Sequence, residues 1–266
     1  MSIEARRVEP VAVTPVTAAG PAVQISDVSK TFGRGDTALL ALDQVSLSVA
    51  PGEFVCLIGA SGCGKSTLLS LVAGLDQPTS GEVSTGGRRV SLMFQESALF
   101  PWLTAARNVE LPLRAVGMPA AQRRARVAEL LDLVHLSAFA DKRPHQLSGG
   151  MRQRVALARA LAQDAEILLM DEPFGALDAM TRDLLHEVLE GIWRRRELSI
   201  LFVTHEVREA VRLGDRVVLL SSRPGRVIGE FPVEFDRPRG MDSAQTVELA
   251  IKIKARLREE VIRHGN

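Results

Sequence analysis

The stretch Phe54-Val-Cys-Leu-Ile-Gly-Ala-Ser-Gly-Cys-Gly-Lys-Ser66 decides the fold. Its first five residues are all apolar, which is typical of a strand buried on both faces of a parallel sheet. Gly59–Ser66 then matches G-x-x-x-x-G-K-[ST] at every fixed position, and a helical pattern follows from Lys65 to about Ala73. A buried strand, a glycine-rich loop and a helix in this order predict an α/β fold with a phosphate-binding loop.

This loop predicts that the chain binds ATP together with Mg²⁺. Glycine permits backbone angles that a Cβ forbids, so successive amides can converge on an anion beside the positive end of the helix dipole. We expect Lys65 to reach the β- and γ-phosphates, Ser66 to enter the Mg²⁺ shell and Thr67 to support the α-phosphate. The predicted nucleotide-binding residues of the loop are Gly59, Ala60, Ser61, Gly62, Cys63, Gly64, Lys65, Ser66 and Thr67.

A second apolar strand, Ile167–Met170, ends in the two acids Asp171 and Glu172. At the carboxyl end of a parallel sheet these acids would lie at the ligand crevice. Adjacent strand residues point to opposite sides, so the two carboxylates are expected to have different roles. Asp171 would hold Mg²⁺ through water, and Glu172 would polarise the attacking water as general base. The alternative is a solvated acidic turn.

A second anion site is predicted at Leu147-Ser-Gly-Gly150. Ser148 is a good N-cap for a helix running to about Ala162, and Gly149 and Gly150 leave the first amides open to an anion. One ATP does not need two such cradles within one chain.

With these motifs the chain resembles the ATP-binding cassette (ABC) family, whose signature begins LSGG, over about residues 23–235. Met151 stands where the family commonly has Gln. The resemblance implies a RecA-like P-loop NTPase core with an antiparallel β subdomain and an inserted α-helical signature subdomain. It also implies a homodimer, in which Ser148, Gly149 and Gly150 of one subunit close over the ATP of the other.

The resemblance assigns further site residues in chain order. Gln95 matches the glutamine that senses Mg²⁺ and the γ-phosphate, which makes Ser66, Gln95 and Asp171 the implied metal residues. Asp178 matches the D-loop, with Gly175 where Ser is common. His205 matches the switch histidine that contacts the γ-phosphate and joins Glu172 and Gln95 as a catalytic residue. Phe32 stands where the family often has a Tyr that stacks on adenine; its alternative is core packing.

The chain divides into three predicted parts. Residues 1–22 are rich in Pro, Ala, Val and Thr and predict a flexible tail. Residues 23–238 form the ABC domain with a helical insertion at about 100–150, and residues 239–266 form a helical tail. Further strands are predicted at Val90–Phe94, Ser199–Val203 and Val217–Leu220, and further helices at Ala120–Leu133 and after Pro238, the last with apolar positions Val247, Ile251, Leu257, Val261 and Ile262.

Composition bears on the partners and the cellular compartment of the chain. The net charge of +1 gives no argument for nucleic acid as a partner. The chain has two cysteines, Cys56 and Cys63, which give no support for a disulfide framework. A reducing compartment therefore fits better. Cys63 is either a small residue that fits its loop or a thiol whose pKa the loop amides lower. The sequence contains no run of the roughly 20 apolar residues that a membrane span needs. If the protein acts at a membrane, another protein must hold it at the membrane surface.

Two classes of ABC protein remain open: a subunit that powers a membrane transporter, and a soluble ATPase acting on DNA or ribosomes. The single cassette, the short insertion and the apolar stretch Phe100-Pro-Trp-Leu103 favour the transporter. Trp102 would either anchor a permease or pack inside the helical insertion. MFQESALFPWLTAARNVELPL, DEPFGALDAMTR and LLSSRPGRV resemble bacterial nitrate/sulfonate/taurine importers, although another bacterial importer is the alternative. That resemblance implies a separate permease and substrate-binding protein, and a peripheral position on the cytoplasmic face of the inner membrane.

Overall fold

The computed structural model describes residues 20–175 and 177–264. The predicted tail, residues 1–22, lies outside these residues except at its end. There Ala22 is buried and its amide donates to Val49 O at 2.6 Å, so the chain is packed one residue before the predicted start at Val23.

The described residues form strands and α-helices in the order β1 (Val23–Phe32), β2 (Leu39–Val49), β3 (Phe54–Ile58), α1 (Lys65–Val72), β4 (Ser80–Ser84), β5 (Val90–Met93), α2 (Ala105–Ala115), α3 (Ala120–Leu133), α4 (Gly149–Leu161), β6 (Ile167–Asp171), α5 (Ala179–Arg196), β7 (Ser199–Val203), α6 (Val207–Leu213), β8 (Arg216–Leu220), β9 (Val227–Pro232) and α7 (Ala244–His264).

The main sheet has six strands in the order β5-β6-β7-β3-β8-β9. The first five are parallel, and β9 pairs antiparallel with β8. Every residue of β3 is buried, and its side chains alternate between two hydrophobic cores: Val55 and Leu57 face one, and Phe54, Cys56 and Ile58 face the other. The prediction of a strand buried on both faces of a parallel sheet is confirmed.

A smaller antiparallel sheet, β2-β1-β4, covers one face of the main sheet. Helix α1 lies with it, since Leu68 and Leu69 share a core with Ile25 and Val45. In β1 the alternation of buried Val23 and Ile25 with less buried Gln24 and Ser26 breaks at Asp27. The φ of 48° at Asp27 accompanies a shift of register and returns Val28 to the core.

The segment between β5 and β6 is helical, as predicted. Helix α3 has the predicted bounds, and its Val127, Leu130 and Leu131 are buried against α2 and α4. Helix α4 continues past the predicted insertion and leads directly into β6. In the part of the chain that the structure describes, the helices lack the combination of length and apolarity needed to cross a membrane.

Two features of the fold differ from the sequence prediction. Strands β4 and β9 were not predicted. For α7, the predicted apolar face is wrong at Ile251 and Ile262, which are 62% and 75% exposed. The helix instead packs on α6 through a face whose buried residues include Thr246, Ala250 and Ile253, spaced four and three residues apart.

Candidate nucleotide-hydrolysis site

Most of the predicted site residues gather at the carboxyl edge of the main sheet, because neighbouring parallel strands end there. Four of the five parallel strands lead into a segment that carries them: Gln95 after β5, Asp171 and Glu172 at the end of β6, His205 after β7 and Gly59–Thr67 after β3. The fifth, β8, leads into Arg223, which was not predicted. A cleft of about 390 Å³ lies here, lined by Phe32, Leu39, Ala41, Ser61, Gly62, Gly64, Lys65, Ser66, Thr67, Gln95, Glu172 and Arg223.

The phosphate-binding loop depends on its glycines. Gly62 and Gly64 have φ values of 75° and 101°, which favour glycine. A Cβ at Gly64 would also lie 2.6 Å from Leu42 Cδ2. Lys65 is buried, and its Nζ donates to Gly59 O at 2.9 Å and Ala60 O at 3.0 Å. The third ammonium donor faces only a weak acceptor, Cys63 Sγ at 3.9 Å, so the loop holds the charge in place and leaves this donor available for a stronger acceptor.

Three predicted loop residues do not line the cleft. Gly59, Ala60 and Cys63 lie behind it, and the Cys63 side chain is 1% exposed in a hydrophobic core. Burial raises the pKa of the Cys63 thiol, and this outweighs the opposing effect of Lys65. The interpretation of Cys63 as a thiol of lowered pKa is therefore wrong. Backbone amides of the loop and the Lys65 ammonium do lower the pKa of this thiol, but burial of the sulfur in the core has the larger effect.

The two acids at the end of β6 have different surroundings. Asp171 is hydrogen-bonded to the Ser66 hydroxyl, while burial raises the pKa of its carboxyl against the effects of that bond and of Lys65. Ser66 and Asp171 together present hard oxygen donors, which is the chemistry Mg²⁺ prefers. The residues present therefore fit a magnesium ion that would draw its remaining ligands from water and nucleotide phosphates.

Glu172 turns out of the sheet toward His205. Its φ of 43° lies in the left-handed region, and its amide donates to Val203 O at 3.0 Å. This turn brings the Glu172 carboxylate into the cleft, where Oε2 lies 3.1 Å from His205 Nδ1. A carboxylate paired with an imidazole at the phosphate end of a cleft can accept a proton from a water molecule while the ring holds its orientation.

Gln95 and Phe32 both line the cleft. Phe32 is 42% exposed, with Lys30 Nζ 5.1 Å from its ring centroid, so the alternative of core packing is wrong. Gln95 is exposed, and its backbone carbonyl oxygen accepts a hydrogen bond from Gln153 Nε2 of α4 at 2.8 Å. This bond ties the segment after β5 to the helix that carries the signature.

The predicted second anion site is at the start of α4. Ser148 caps the helix, its Oγ accepting from Met151 N at 3.2 Å. Gly149 is exposed, but Gly150 is buried, and a Cβ there would lie 2.2 Å from Thr181 Cγ2. Asp178 caps α5 by accepting from Thr181 N at 3.0 Å. The signature residues do not line the cleft around the phosphate loop, so the two predicted cradles stay separate within this chain.

The sequence prediction omitted Arg223, which lines the cleft. A tight turn fixes this residue beside β2, since Gly225 N donates to Ala41 O at 2.9 Å and Asp43 N donates to Gly225 O at 3.0 Å. The signal was available: Val217–Leu220 was predicted as a strand of the parallel sheet, and a basic residue three positions past its end belongs at the ligand edge.

Comparison with known proteins agrees with this geometry. The family described as "ABC transporter" matches residues 42–175, about half of the chain. The chain belongs to the ABC transporter family. The predictions of the family, of the P-loop NTPase fold and of ATP hydrolysis are confirmed, because ATP-binding proteins of ABC transporters hydrolyse ATP to drive transport.

Similar proteins are ATP-binding subunits. An uncharacterized ABC transporter ATP-binding protein of Methanocaldococcus jannaschii is 43% identical over 91% of this ABC chain and 93% of its own. The nitrate import ATP-binding protein NrtD of Synechocystis is 46% identical, covering 80% and 83%. The taurine import ATP-binding protein TauB of Sinorhizobium fredii is 48% identical, covering 76% and 79%.

Among solved structures, a dimeric ATP-binding cassette in a post-hydrolysis state with ADP and Pi superposes with a TM-score of 0.72 at 36% identity. The match covers 80% of this ABC chain and 100% of that one. A dimeric bacterial ABC transporter cassette gives a TM-score of 0.73 with the same coverage. The fold of this chain is therefore that of a cassette known in dimeric form.

Proposed function

We propose that this chain is the ATP-hydrolysing subunit of a bacterial ABC importer for a small anion such as nitrate, a sulfonate or taurine. Relatives named for nitrate and taurine import, at 46% and 48% identity, support the substrate class. The substrate would be held by a separate binding protein and cross through a separate permease. The permease would hold this chain on the cytoplasmic face of the membrane.

In the proposed ATP complex, the loop from Gly59 to Thr67 wraps the phosphates. Lys65 places its third donor on the β- and γ-phosphates, with the other two fixed by loop carbonyls. Phe32 offers its exposed ring face to the adenine at the other end of the cleft. Arg223 adds a second positive charge beside the bound polyanion.

Ser66, Asp171 and Gln95 would hold Mg²⁺. The ion, when bound, supplies charge neutralisation for the β- and γ-phosphates. The Ser66 hydroxyl and the Asp171 carboxylate are already joined by a hydrogen bond, so their oxygens are close enough to serve one ion. Gln95 adds an amide oxygen from the neighbouring strand end.

The observation that carries the proposed mechanism is the pair of Glu172 and His205 at 3.1 Å. Glu172 accepts a proton from the attacking water as general base. His205 uses Nδ1 to hold the carboxylate, which leaves Nε2 as the ring nitrogen that contacts the γ-phosphate. Both groups belong to the carboxyl ends of adjacent strands, so the sheet itself sets their separation.

Steady-state kinetics test this pair. Glu172→Gln keeps the shape of the side chain but cannot accept the proton, so we expect kcat to fall by about 10²- to 10⁴-fold while ATP binding stays within about twofold. His205→Ala should also lower kcat more than it changes the Kd for ATP. Near-normal turnover by Glu172→Gln would show that Glu172 is not the base.

A second copy of the chain completes the proposed site. Ser148, Gly149 and Gly150 of one subunit would place the amides at the start of α4 on the γ-phosphate bound by the other. Asp178 would lie at the same interface. The separation of the two cradles within one chain supports this arrangement, because the start of α4 does not line the cleft of its own subunit and is left to contact a nucleotide held by another copy.

An apolar groove between the main sheet and the helical segment is the proposed permease site. Its volume is about 680 Å³, and its lining includes Phe94, Phe100, Pro112 and Val116. Trp102 stands beside it, 67% exposed, with its ring centroid 5.5 Å from that of Phe100. The interpretation that Trp102 packs inside the helical insertion is wrong, since most of its surface is exposed.

Hydrogen bonds tie the segment between Gln95 and this groove to helices α2 and α4. Asn108 of α2, fully buried, accepts from Phe100 N at 2.8 Å and donates to Leu103 O at 3.3 Å. Arg159 of α4 donates to Ser97 O at 2.9 Å and Ala98 O at 2.7 Å. A change at Gln95 on ATP binding would therefore be passed to the groove through a segment held at both ends.

Assembly and uptake assays test the importer proposal. Trp102→Ala should weaken assembly with the copurifying permease by about tenfold or more, since large aromatic anchors dominate interfaces. Leu75→Ala, equally exposed at 64% but outside the groove, is the control and should assemble normally. Normal assembly by Trp102→Ala would refute the docking site.

Uptake of nitrate, taurine and alkanesulfonates by the assembled transporter would then define the substrate. Uptake of none of them would refute the substrate class.

A further inference from the structure

A buried polar cluster lies behind His205 and includes none of the residues assigned so far. Its members are Thr204, Glu209 and His186, which are 2%, 4% and 0% exposed. His186 lies on α5, which brings it here. Burying a carboxylate and an imidazole is unfavourable unless their polar atoms are paired, so their partners indicate what they hold in place.

Both oxygens of Glu209 are used. Oε1 lies 2.7 Å from His186 Nε2, and Oε2 accepts a hydrogen bond from Thr204 Oγ1. Because an ionised carboxylate can only accept, the His186 ring donates from Nε2. Its edge packs against the ring of Phe174, with centroids 5.6 Å apart, which fixes the ring plane. Glu209 of α6 is thus locked between α5 and the end of β7.

Thr204 connects Glu209 to the backbone on both sides of His205. Its hydroxyl donates to Glu209 and also accepts from Glu206 N at 3.0 Å, so the backbone is held just before and just after His205. Thr204 N donates to Leu57 O of the phosphate-loop strand at 3.3 Å. The His205 side chain itself is 62% exposed and has little packing to orient it.

We propose that Glu209, held by His186, is a positioning residue for ATP hydrolysis. Through the Thr204 hydroxyl it fixes the backbone that aims the exposed His205 ring at Glu172 Oε2. This inference rests on the roles proposed above for Glu172 and His205. The cluster moves no proton in the reaction; it sets the direction of the ring.

Thr204→Val tests the cluster, because it removes the hydroxyl and keeps the size of the side chain. We expect kcat for ATP to fall by about tenfold, because the two hydrogen bonds of the Thr204 hydroxyl are lost, while KM stays within about twofold. Thr204→Ser, which keeps the hydroxyl, should restore most of kcat. Equal activity of the Val and wild-type proteins, or no recovery with Ser, would overturn the inference.

The same substitution in a His205→Ala background separates positioning from general support of the fold. Since the cluster acts through His205, Thr204→Val should then change kcat by less than about twofold. A full tenfold loss in that background would show that Thr204 acts elsewhere and would overturn the inference. If Thr204→Val does not fold, Thr204→Ala takes its place, since it puts no methyl group against the Glu209 carboxylate.

The single variant His205→Ala separates the role proposed for His205 from the positioning role proposed for Glu209. If it hydrolyses ATP at the wild-type rate, the proposed role of His205 fails and the positioning role fails with it. If His205→Ala loses activity and Thr204→Val does not, the role of His205 stands and only the positioning by Glu209 is refuted.

Discussion

Replacing Gly150 with alanine tests whether this signature glycine is needed for packing within the chain, as distinct from the contact with a partner subunit proposed for the signature. A Cβ at Gly150 would lie 2.2 Å from Thr181 Cγ2, which requires one of the two to move. Thr181 is not free to turn, because its Oγ1 donates to Asp178 Oδ2 at 2.7 Å. Gly149 is a matched control, since a Cβ there would have its nearest neighbours at 3.9 and 4.0 Å.

The expected loss in free energy of unfolding for Gly150→Ala is about 2 kcal/mol. Overpacking a buried site costs roughly 1–3 kcal/mol. The lost hydrogen bond between Thr181 and Asp178 adds about 1 kcal/mol, and the better helix propensity of alanine returns up to about 1 kcal/mol. For a chain of this size, 2 kcal/mol lowers Tm by about 4–8 °C.

Thermal unfolding of the isolated chain, followed by circular dichroism, measures this loss. Gly149→Ala should melt like the wild type. Thr181→Ser removes the clashing methyl group and keeps the hydroxyl, so adding it to Gly150→Ala should recover most of the Tm. A wild-type Tm for Gly150→Ala, or no recovery in the double variant, would refute the packing argument.

Two further predictions concern the cleft and the loop behind it. Arg223→Ala should weaken ATP binding by about 3- to 10-fold at low salt and by less at high salt. Arg226→Ala is the control and should bind ATP normally, because the Arg226 guanidinium pairs with Asp43 outside the cleft. Equal effects of the two substitutions in titration calorimetry would contradict the role of Arg223. Cys63 and Cys56 should both react slowly with maleimides at neutral pH, because both are buried and burial raises the pKa of each thiol. Rapid labelling of Cys63 that MgATP blocks would contradict the placement of its side chain.

Local sequence patterns determined much of this fold. The apolar run Phe54–Ile58 is buried on both faces because five parallel strands need cover from both sides, and the pattern of Ala120–Leu133 has the period of one helix face. The motifs are contiguous for a physical reason: a phosphate cradle is built from successive amides, so its residues must be neighbours in sequence.

Features that depend on distant partners were not predicted. Strand β4 is almost wholly exposed and is a strand only because it pairs with β1, and β9 likewise depends on β8. The direction of the Cys63 side chain follows from packing behind the loop, which the amide pattern does not reveal. His186 and Glu209 are 23 residues apart and meet only because α5 and α6 flank the same strands.

The most direct test of the account is the mass in solution of Glu172→Gln with and without MgATP, measured by sedimentation equilibrium. Without hydrolysis, ATP should hold two chains together, so the mass should rise from the 28.9 kDa of one chain to twice that value, with one ATP bound per chain. Ser148→Arg in the same background should keep ATP binding and lose the dimer. A variant that binds ATP and stays at the mass of a single chain would contradict the shared two-subunit site, and one that still turns over ATP would contradict Glu172 as the base.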